Sequence, residues 1–240
     1  DEYFSASDGV NFVDLDVLLA GAAVDETVRS FDEYWNSESS IPIDHLRRIM
    51  RGKLTLYEVR QVLADSARVQ ADSGYLRRLR QSPGIVSMLQ GDYELDWQSD
   101  VQVVADDPRK AIKHASKIRP GVLESLIGAF GATRRELLLI SPYFVPGAGG
   151  ADGMRQLASA GIDVEILTNS LAATDVAAVH SGYVRYRKRL LEGGVKLYEL
   201  KPAPEAFEHE KRMSFGSSRA SLHTKAAIVD RERIFVGSFN

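Results

Sequence analysis

The sequence predicts an α/β sandwich on a mainly parallel or mixed sheet. Three observations predict it. Between Glu136 and Leu200 short apolar runs alternate with stretches at helical spacing, the pattern of strands joined by crossover helices. Ala226–Val229 and Ile234–Val236 flank the polar turn Asp230-Arg231-Glu232, which predicts an antiparallel pair. The 240 residues are 44% hydrophobic and 26% charged, enough apolar chain for a sizeable core.

The elements follow in order. In Asn11–Leu19, Leu15, Val17 and Leu19 fall on one face with Asp14 and Asp16 on the other, which predicts a strand. Val24, Val28, Phe31 and Trp35 have helical spacing, with Asp25 and Glu26 in the first turn. Ser37–Ser40 and Pro42 break the chain, and from Ile43 to about Leu89 it reads as mostly helical and charge-rich. Its arginines (Arg77, Arg78, Arg80) read as a solvated face, with a phosphate or lipid-headgroup contact as the alternative. Val101–Ala105 reads as a short strand and Gly121–Gly131 as a helix ending on glycine. Then come strand Glu136–Ile140, helix Gly153–Ala160, strand Val164–Thr168, helix Val176–Leu191 and strand Val195–Leu200. Ala203–Ser218 reads as a polar loop. No period of 20–50 residues marks a solenoid.

Composition removes several functions. With no Cys there is no thiol nucleophile, thiolate zinc site or iron–sulfur cluster. A net charge of -3 and the lack of a basic stripe weigh against a nucleic-acid partner. The longest apolar run, Val17–Val24, is far short of the ~20 residues that span a bilayer. The chain begins at Asp1 rather than Met and its last residue closes a motif, so it is expected to be a piece of a longer one.

That motif carries the chemistry. It reads His223-x-Lys225, four residues, Asp230, six residues, Gly237-Ser238-x-Asn240. His223 and Lys225 are two apart entering one strand, and Ser238 and Asn240 repeat the spacing leaving the next. A turn at Asp230 would therefore converge the four polar side chains on one spot. The set suits a phosphate. A histidine attacks phosphorus or moves a proton near neutral pH. A lysine meets a non-bridging oxygen, and serine and asparagine add donors for the spreading charge. Asp230 is expected to fix the turn or pair with a cation rather than touch substrate. A second H-x-K, His209 and Lys211, has no matching Asp and is set aside, as are His45 and His114.

H-x-K-x4-D-x6-G-S-x-N is the signature of the phospholipase D superfamily. The stretches Ile140–Gly147, Leu167–Asp175, Val179–Tyr183 and Gly194–Leu200 resemble bacterial cardiolipin synthases, the C-type above all. The resemblance implies a phospholipase D-like α-β-α sandwich with a mixed sheet. It divides the chain into the tail of a first repeat (1–40), a helical connector (41–95) and a second repeat (96–240) truncated after its motif. It implies a phosphatidyl transfer through a phosphohistidine, making cardiolipin from phosphatidylglycerol and a second phospholipid, with neither metal nor cofactor. The alternatives are hydrolysis to phosphatidic acid and a phosphodiesterase or nuclease of the same fold. A chain with one of the two motifs is expected to be inactive by itself unless two copies pair. By the same resemblance His223 is the general acid/base, with the roles of the two histidines exchangeable. Asp14 orients the histidine of the missing motif, and the carboxylate for His223 lies beyond Asn240. Tyr143, Asn169, His180 and Tyr183 are expected near substrate, each as readily structural. The expected setting is the bacterial cytoplasm, peripheral at the inner membrane on a phospholipid surface.

Overall fold

The computed structural model describes residues 11–42, 45, 55–71, 74–81, 83–92, 97–112, 121–201 and 220–238. The elements are β1 (Asn11–Val13), α1 (Ala22–Trp35), α2 (Leu56–Gln70), α3 (Gly74–Gln81), α4 (Pro83–Gln90), a 3-10 turn (Pro108–Ala111) and α5 (Val122–Gly131). They continue with β2 (Glu136–Ile140), α6 (Gly147–Ser159), β3 (Asp163–Asn169), α7 (Ala177–Glu192), β4 (Lys196–Leu200), β5 (Ala220–Leu222), β6 (Ala226–Val229) and β7 (Arg233–Val236). Contacts gather them into two compact units, residues 1–18 with 122–240, and residues 19–121. These follow contact, whereas the boundaries expected at 40 and 95 follow the likeness of repeats.

The first unit is α/β with a mixed five-stranded sheet in the order β4-β3-β2-β6-β7. β2, β3 and β4 run parallel, and β6 pairs antiparallel with both β2 and β7. Register explains the core. Leu137 sits opposite Val164 and Val229, and Leu139 opposite Ile166 and Ala227, so these six share one face. All are buried, packed with Ala151 and Met154 of α6 and Tyr183 and Leu190 of α7. The parallel strands are joined by helices, so the carboxyl ends of β2 and β3 lie at one edge, the usual place for a ligand in an open α/β sheet. Because Ile140 pairs with Ala226, residues 223–225 arrive at that edge.

A second sheet, the parallel pair β1–β5, belongs to the same unit. The strand expected over Asn11–Leu19 stops at Val13. There the Val13 carbonyl is taken by His223 and Thr224, and Leu15, Val17 and Leu18 beyond it are exposed. β5 is three residues long, too short to show an alternation. The expected loop Ala203–Ser218 lies outside the described residues.

Helix α6 starts at Gly147, earlier than expected, through a glycine-rich turn of low helix propensity. Burial of Ala151 and Met154 outweighs that propensity.

In the 19–121 unit, Thr55 and Glu58 form a capping box at the start of α2. Phe31 and Trp35 stack on α1 with ring centroids 5.6 Å apart. The strand expected at Val101–Ala105 is irregular chain. The Val103 N–H is held by the Glu26 carboxylate at 3.2 Å rather than by a neighbouring strand. Arg77 and Arg80 are exposed on α3. Among the described residues no helix is long and apolar enough to cross a membrane.

Leu137 is wholly buried at the centre of the sheet. Its truncation in L137A removes packing on both neighbouring strands and is expected to cost about 3 kcal/mol in urea unfolding.

Candidate active site

The site is assembled where β1 meets β5. The Val13 carbonyl accepts the His223 N–H at 2.9 Å, the Thr224 N–H at 3.1 Å and the Thr224 hydroxyl at 3.0 Å. Asp14 follows Val13 directly and so stands beside His223. Its Oδ2 is 2.8 Å from His223 Nδ1, with the two side chains 18% and 25% exposed. Asp14 therefore orients His223, and this corrects the expectation that it serves the missing motif and that the partner of His223 lies beyond Asn240. The sequence suggested otherwise because 209 residues separate the pair.

Lys225 completes the cluster. Its Nζ lies 3.2 Å from His223 Nε2 and donates to the His223 carbonyl at 3.1 Å. A lysine ammonium only donates, so the Nε2 that faces it offers its lone pair and Nδ1 carries the proton toward Asp14. That tautomer presents Nε2 as a base or a nucleophile, held by a carboxylate behind it.

Aromatic rings wall the cluster. The Phe12 ring lies 5.3 Å from the His223 ring. Tyr143, just past β2, stands edge-on to His223 at 6.5 Å, and Lys225 Nζ is 5.6 Å from its ring centre. The Tyr143 hydroxyl donates to Asp175 Oδ2 at 2.8 Å. Tyr143 thus stands beside His223 and Lys225 at the end of β2.

Other expected residues are placed elsewhere. Asp230 is buried, and its carboxylate accepts the backbone N–H groups of Arg134, Arg135 and Glu136 at 2.7–3.2 Å. It holds the β6–β7 turn to the start of β2, and its role is structural rather than catalytic. Asp230 and Arg231 both take positive φ, 56° and 58°, which fits a tight primed turn. Burial opposes the Asp230 charge, but the three N–H donors and Arg135 outweigh it and hold the carboxyl below its ordinary value of 3.8.

Asn169 is 2% exposed and its carboxamide is bonded to the backbone of Leu222, whereas the sequence places it near substrate. Tyr183 is a core residue, packed on Phe144 with centroids 5.9 Å apart. Burial first, then the Glu199 charge, pushes its hydroxyl well above the usual phenol range, so it stays protonated. His180 is buried edge-on to Tyr183 at 5.6 Å. Both lie on α7 and pack inward, correcting the expectation that they meet substrate. The Gly237 N–H bonds the Lys225 carbonyl at 3.1 Å, which brings the second half of the motif alongside the first. Ser238 beyond it is exposed, and Asn240 lies outside the described residues, as do His114, His209 and Lys211. His45 is exposed. No group of three metal-ligating side chains occurs among the described residues.

Residues 126–240 match the family described as cardiolipin synthase, PLD-like domain. The chain is 35% identical, over its whole length, to cardiolipin synthase C of Escherichia coli, of which it covers 50%. These matches support a place in the phospholipase D superfamily, close to the cardiolipin synthases. It is 29% identical to cardiolipin synthase A of Proteus mirabilis over 50% of this chain and 21% of that one. Among solved structures, the phosphatidylserine synthase of Haemophilus influenzae matches 87% of this chain and 42% of that one at 14% identity, with a TM-score of 0.43. The chain spans about half the length of the first curated relatives it matches.

Against the superfamily motif, Phe12, Thr224 and Asp175 are the additions of the structure. Thr224 sits at the variable position of H-x-K, and its hydroxyl secures Val13. The pattern Thr-in-x carries no signal by itself, and Phe12 and Asp175 carry none without the fold.

Two outcomes follow from this geometry. Asp14→Asn keeps the shape but removes the carboxylate that fixes the tautomer. The turnover of the protein at its natural length is expected to fall about 10²–10³-fold with little change in KM. Because the folded carboxyl of Asp230 lies below 3.8, its contribution is complete above that pH and is lost as pH falls through the folded value. Urea titrations across pH 2–6 are expected to show that loss in wild type (the pH range is about where carboxylates protonate). In Asp230→Asn the protein is weaker at pH 6 and this part of the acid dependence is gone.

Proposed function

We propose that this chain carries one half of the active site of a phosphatidyltransferase of the cardiolipin synthase type. The observation that carries the reading is the Asp14–His223–Lys225 cluster, built on the superfamily motif at the sheet edge. Residues 1–40 are then the tail of a first repeat, 41–95 a connector and 96–240 a second repeat. The other histidine belongs to a first motif upstream.

The reaction divides into two displacements. One histidine attacks phosphorus through its ring nitrogen, a P–N bond forms, and the P–O bond to the leaving alcohol breaks. The other histidine gives the leaving oxygen its proton. That second histidine then takes a proton from the incoming alcohol, whose oxygen attacks phosphorus as the P–N bond breaks. Two histidines are required because one imidazole cannot be both bonded to phosphorus and the proton carrier. Asp14 supports either role for His223 by stabilising the imidazolium, or the phosphorylated ring, through Nδ1. Lys225 meets the charge on the non-bridging oxygens. Since Asp14 of the first-repeat tail serves the second motif, a carboxylate following the second motif serves the first. Neither metal nor cofactor enters these steps.

The lipid reading rests on the likeness to cardiolipin synthases, with phosphatidylglycerol and a second phospholipid such as phosphatidylethanolamine as substrates. The protein would then work peripherally at the inner face of the bacterial membrane.

The test uses the protein at its natural length with vesicles of phosphatidylglycerol and phosphatidylethanolamine, and mass spectrometry of the products. Cardiolipin is expected from wild type and none from His223→Ala. Phosphatidic acid alone would replace the transferase reading with the hydrolase. Neither product would turn the search to other phosphodiesters.

A further inference from the structure

We propose that Asn169 is a positioning residue for His223. It works by registering the β1–β5 pair, which carries His223 and Asp14, against the main sheet, which carries Lys225 and Tyr143.

Asn169 is the last residue of β3. Its backbone is in register with Leu200 of β4, so its side chain is free for another partner. That partner is the backbone of Leu222. Asn169 Oδ1 accepts the Leu222 N–H at 2.9 Å, and Nδ2 donates to the Leu222 carbonyl at 3.0 Å. Nδ2 also lies 3.4 Å from the Ser221 hydroxyl. The carboxamide therefore does what a paired strand does, with one acceptor and one donor turned to the backbone N–H and C=O of a single residue. It reaches a strand outside the five-stranded sheet. Asn169, Ser221 and Leu222 are all buried, so the bonds are shielded from water.

The position of Leu222 makes the link functional. Leu222 is in register with Val13, and His223 follows it with its own N–H on the Val13 carbonyl. Displacing Leu222 moves His223 and, through Val13, Asp14 with it. On the other side, Lys225 enters β6, which is paired to β2, and Tyr143 follows β2. Along the chain, residues 223–225 lead directly from β5 into β6, a short covalent attachment. The carboxamide adds a point of attachment between β3 and β5. His223 and Lys225, with Nζ 3.2 Å from Nε2, lie on the segment between those two points.

Replacement by Ala removes both bonds and leaves the buried N–H and C=O of Leu222 without them. Asp keeps the acceptor but turns a second oxygen to the Leu222 carbonyl. Gln carries the amide one methylene too far. None is expected to substitute. A displacement of the order of 1 Å in a reacting group costs about 100-fold in rate.

The experiment compares Asn169→Ala with Ile166→Val, a core change on the same strand, in the protein at its natural length. Two readouts need no substrate. The Leu222 amide is expected to exchange about tenfold faster in Asn169→Ala. The His223 Nδ1 proton signal, held by Asp14 in wild type, is expected to broaden. Ile166→Val leaves both unchanged. The kinetic arm rests on the proposed phosphatidyl transfer. Asn169→Ala is expected to lower kcat about 100-fold with KM within about twofold, while Ile166→Val keeps kcat. If wild type fails on lipids, that reading fails alone, because amide exchange and the ring proton still decide the positioning role. Unchanged Leu222 exchange and an unchanged His223 signal in Asn169→Ala overturn the proposal. So does a raised KM with intact kcat, which would make Asn169 a substrate contact.

Discussion

The site depends on one oxygen. The Val13 carbonyl takes three donors from His223 and Thr224, more than its two lone pairs serve separately. It joins chain segments some two hundred residues apart, and closing so long a loop gains only slowly in entropic cost with its length. A concentrated joint can therefore hold it. From that joint the rest is short covalent geometry. Asp14 is the next residue after Val13, His223 is one of the donors, and the carboxylate meets the imidazole without further adjustment. The brevity of β1 follows as well. Once Val13 has turned its carbonyl to His223 and Thr224, the chain leaves the pair and Leu15 to Leu18 run exposed.

A motif named for its histidine, lysine and aspartate invites a catalytic reading of all three. The aspartate does something else. Asp230 is saturated by three backbone N–H groups at the start of β2, and its own residue takes the left-handed turn conformation. Its charge holds the hairpin whose strands deliver Lys225 and Gly237 side by side at its open end. The acid that meets the imidazole comes from another part of the sequence. The spacing within the motif is thus partly a requirement of fold. Four residues between Lys225 and Asp230 are the length of β6, and that length puts the lysine at the ligand edge and the aspartate at the opposite one.

Most of the sheet was legible because its strands are apolar and its helices periodic. Leu137, Leu139, Val164 and Ile166 announce the core by alternation alone. The motif announced His223 and Lys225 because several fixed positions coincide. What escaped was carried by pairing between distant segments. Nothing local to Asp14 tells which histidine it meets. Nothing local to Asn169 tells a ligand-facing amide at a strand end from one spent on backbone, since polarity at that position suits both. His180 and Tyr183 share one helix face, as their spacing requires, but spacing does not say whether that face meets core or cleft. Val101–Ala105 has strand composition without a strand, because pairing needs a neighbour and the Glu26 side chain took the N–H of Val103.

The ammonium of Lys225 has three N–H groups. One faces His223 Nε2 and one the His223 carbonyl, and together they lock the lysine to the histidine it follows by two residues. The third remains for an anion, beside the Tyr143 ring, whose face steadies the cation without neutralising it. An oxygen bound there stands within hydrogen-bond distance of Nζ, and Nζ is itself 3.2 Å from Nε2. The phosphorus that carries such an oxygen is then brought close to the imidazole without a separate clamp. On the proposed reading this explains why two residues of spacing suffice. The lysine that attracts the phosphate also measures its distance from the base, and Asp14 on the far nitrogen keeps the ring facing both.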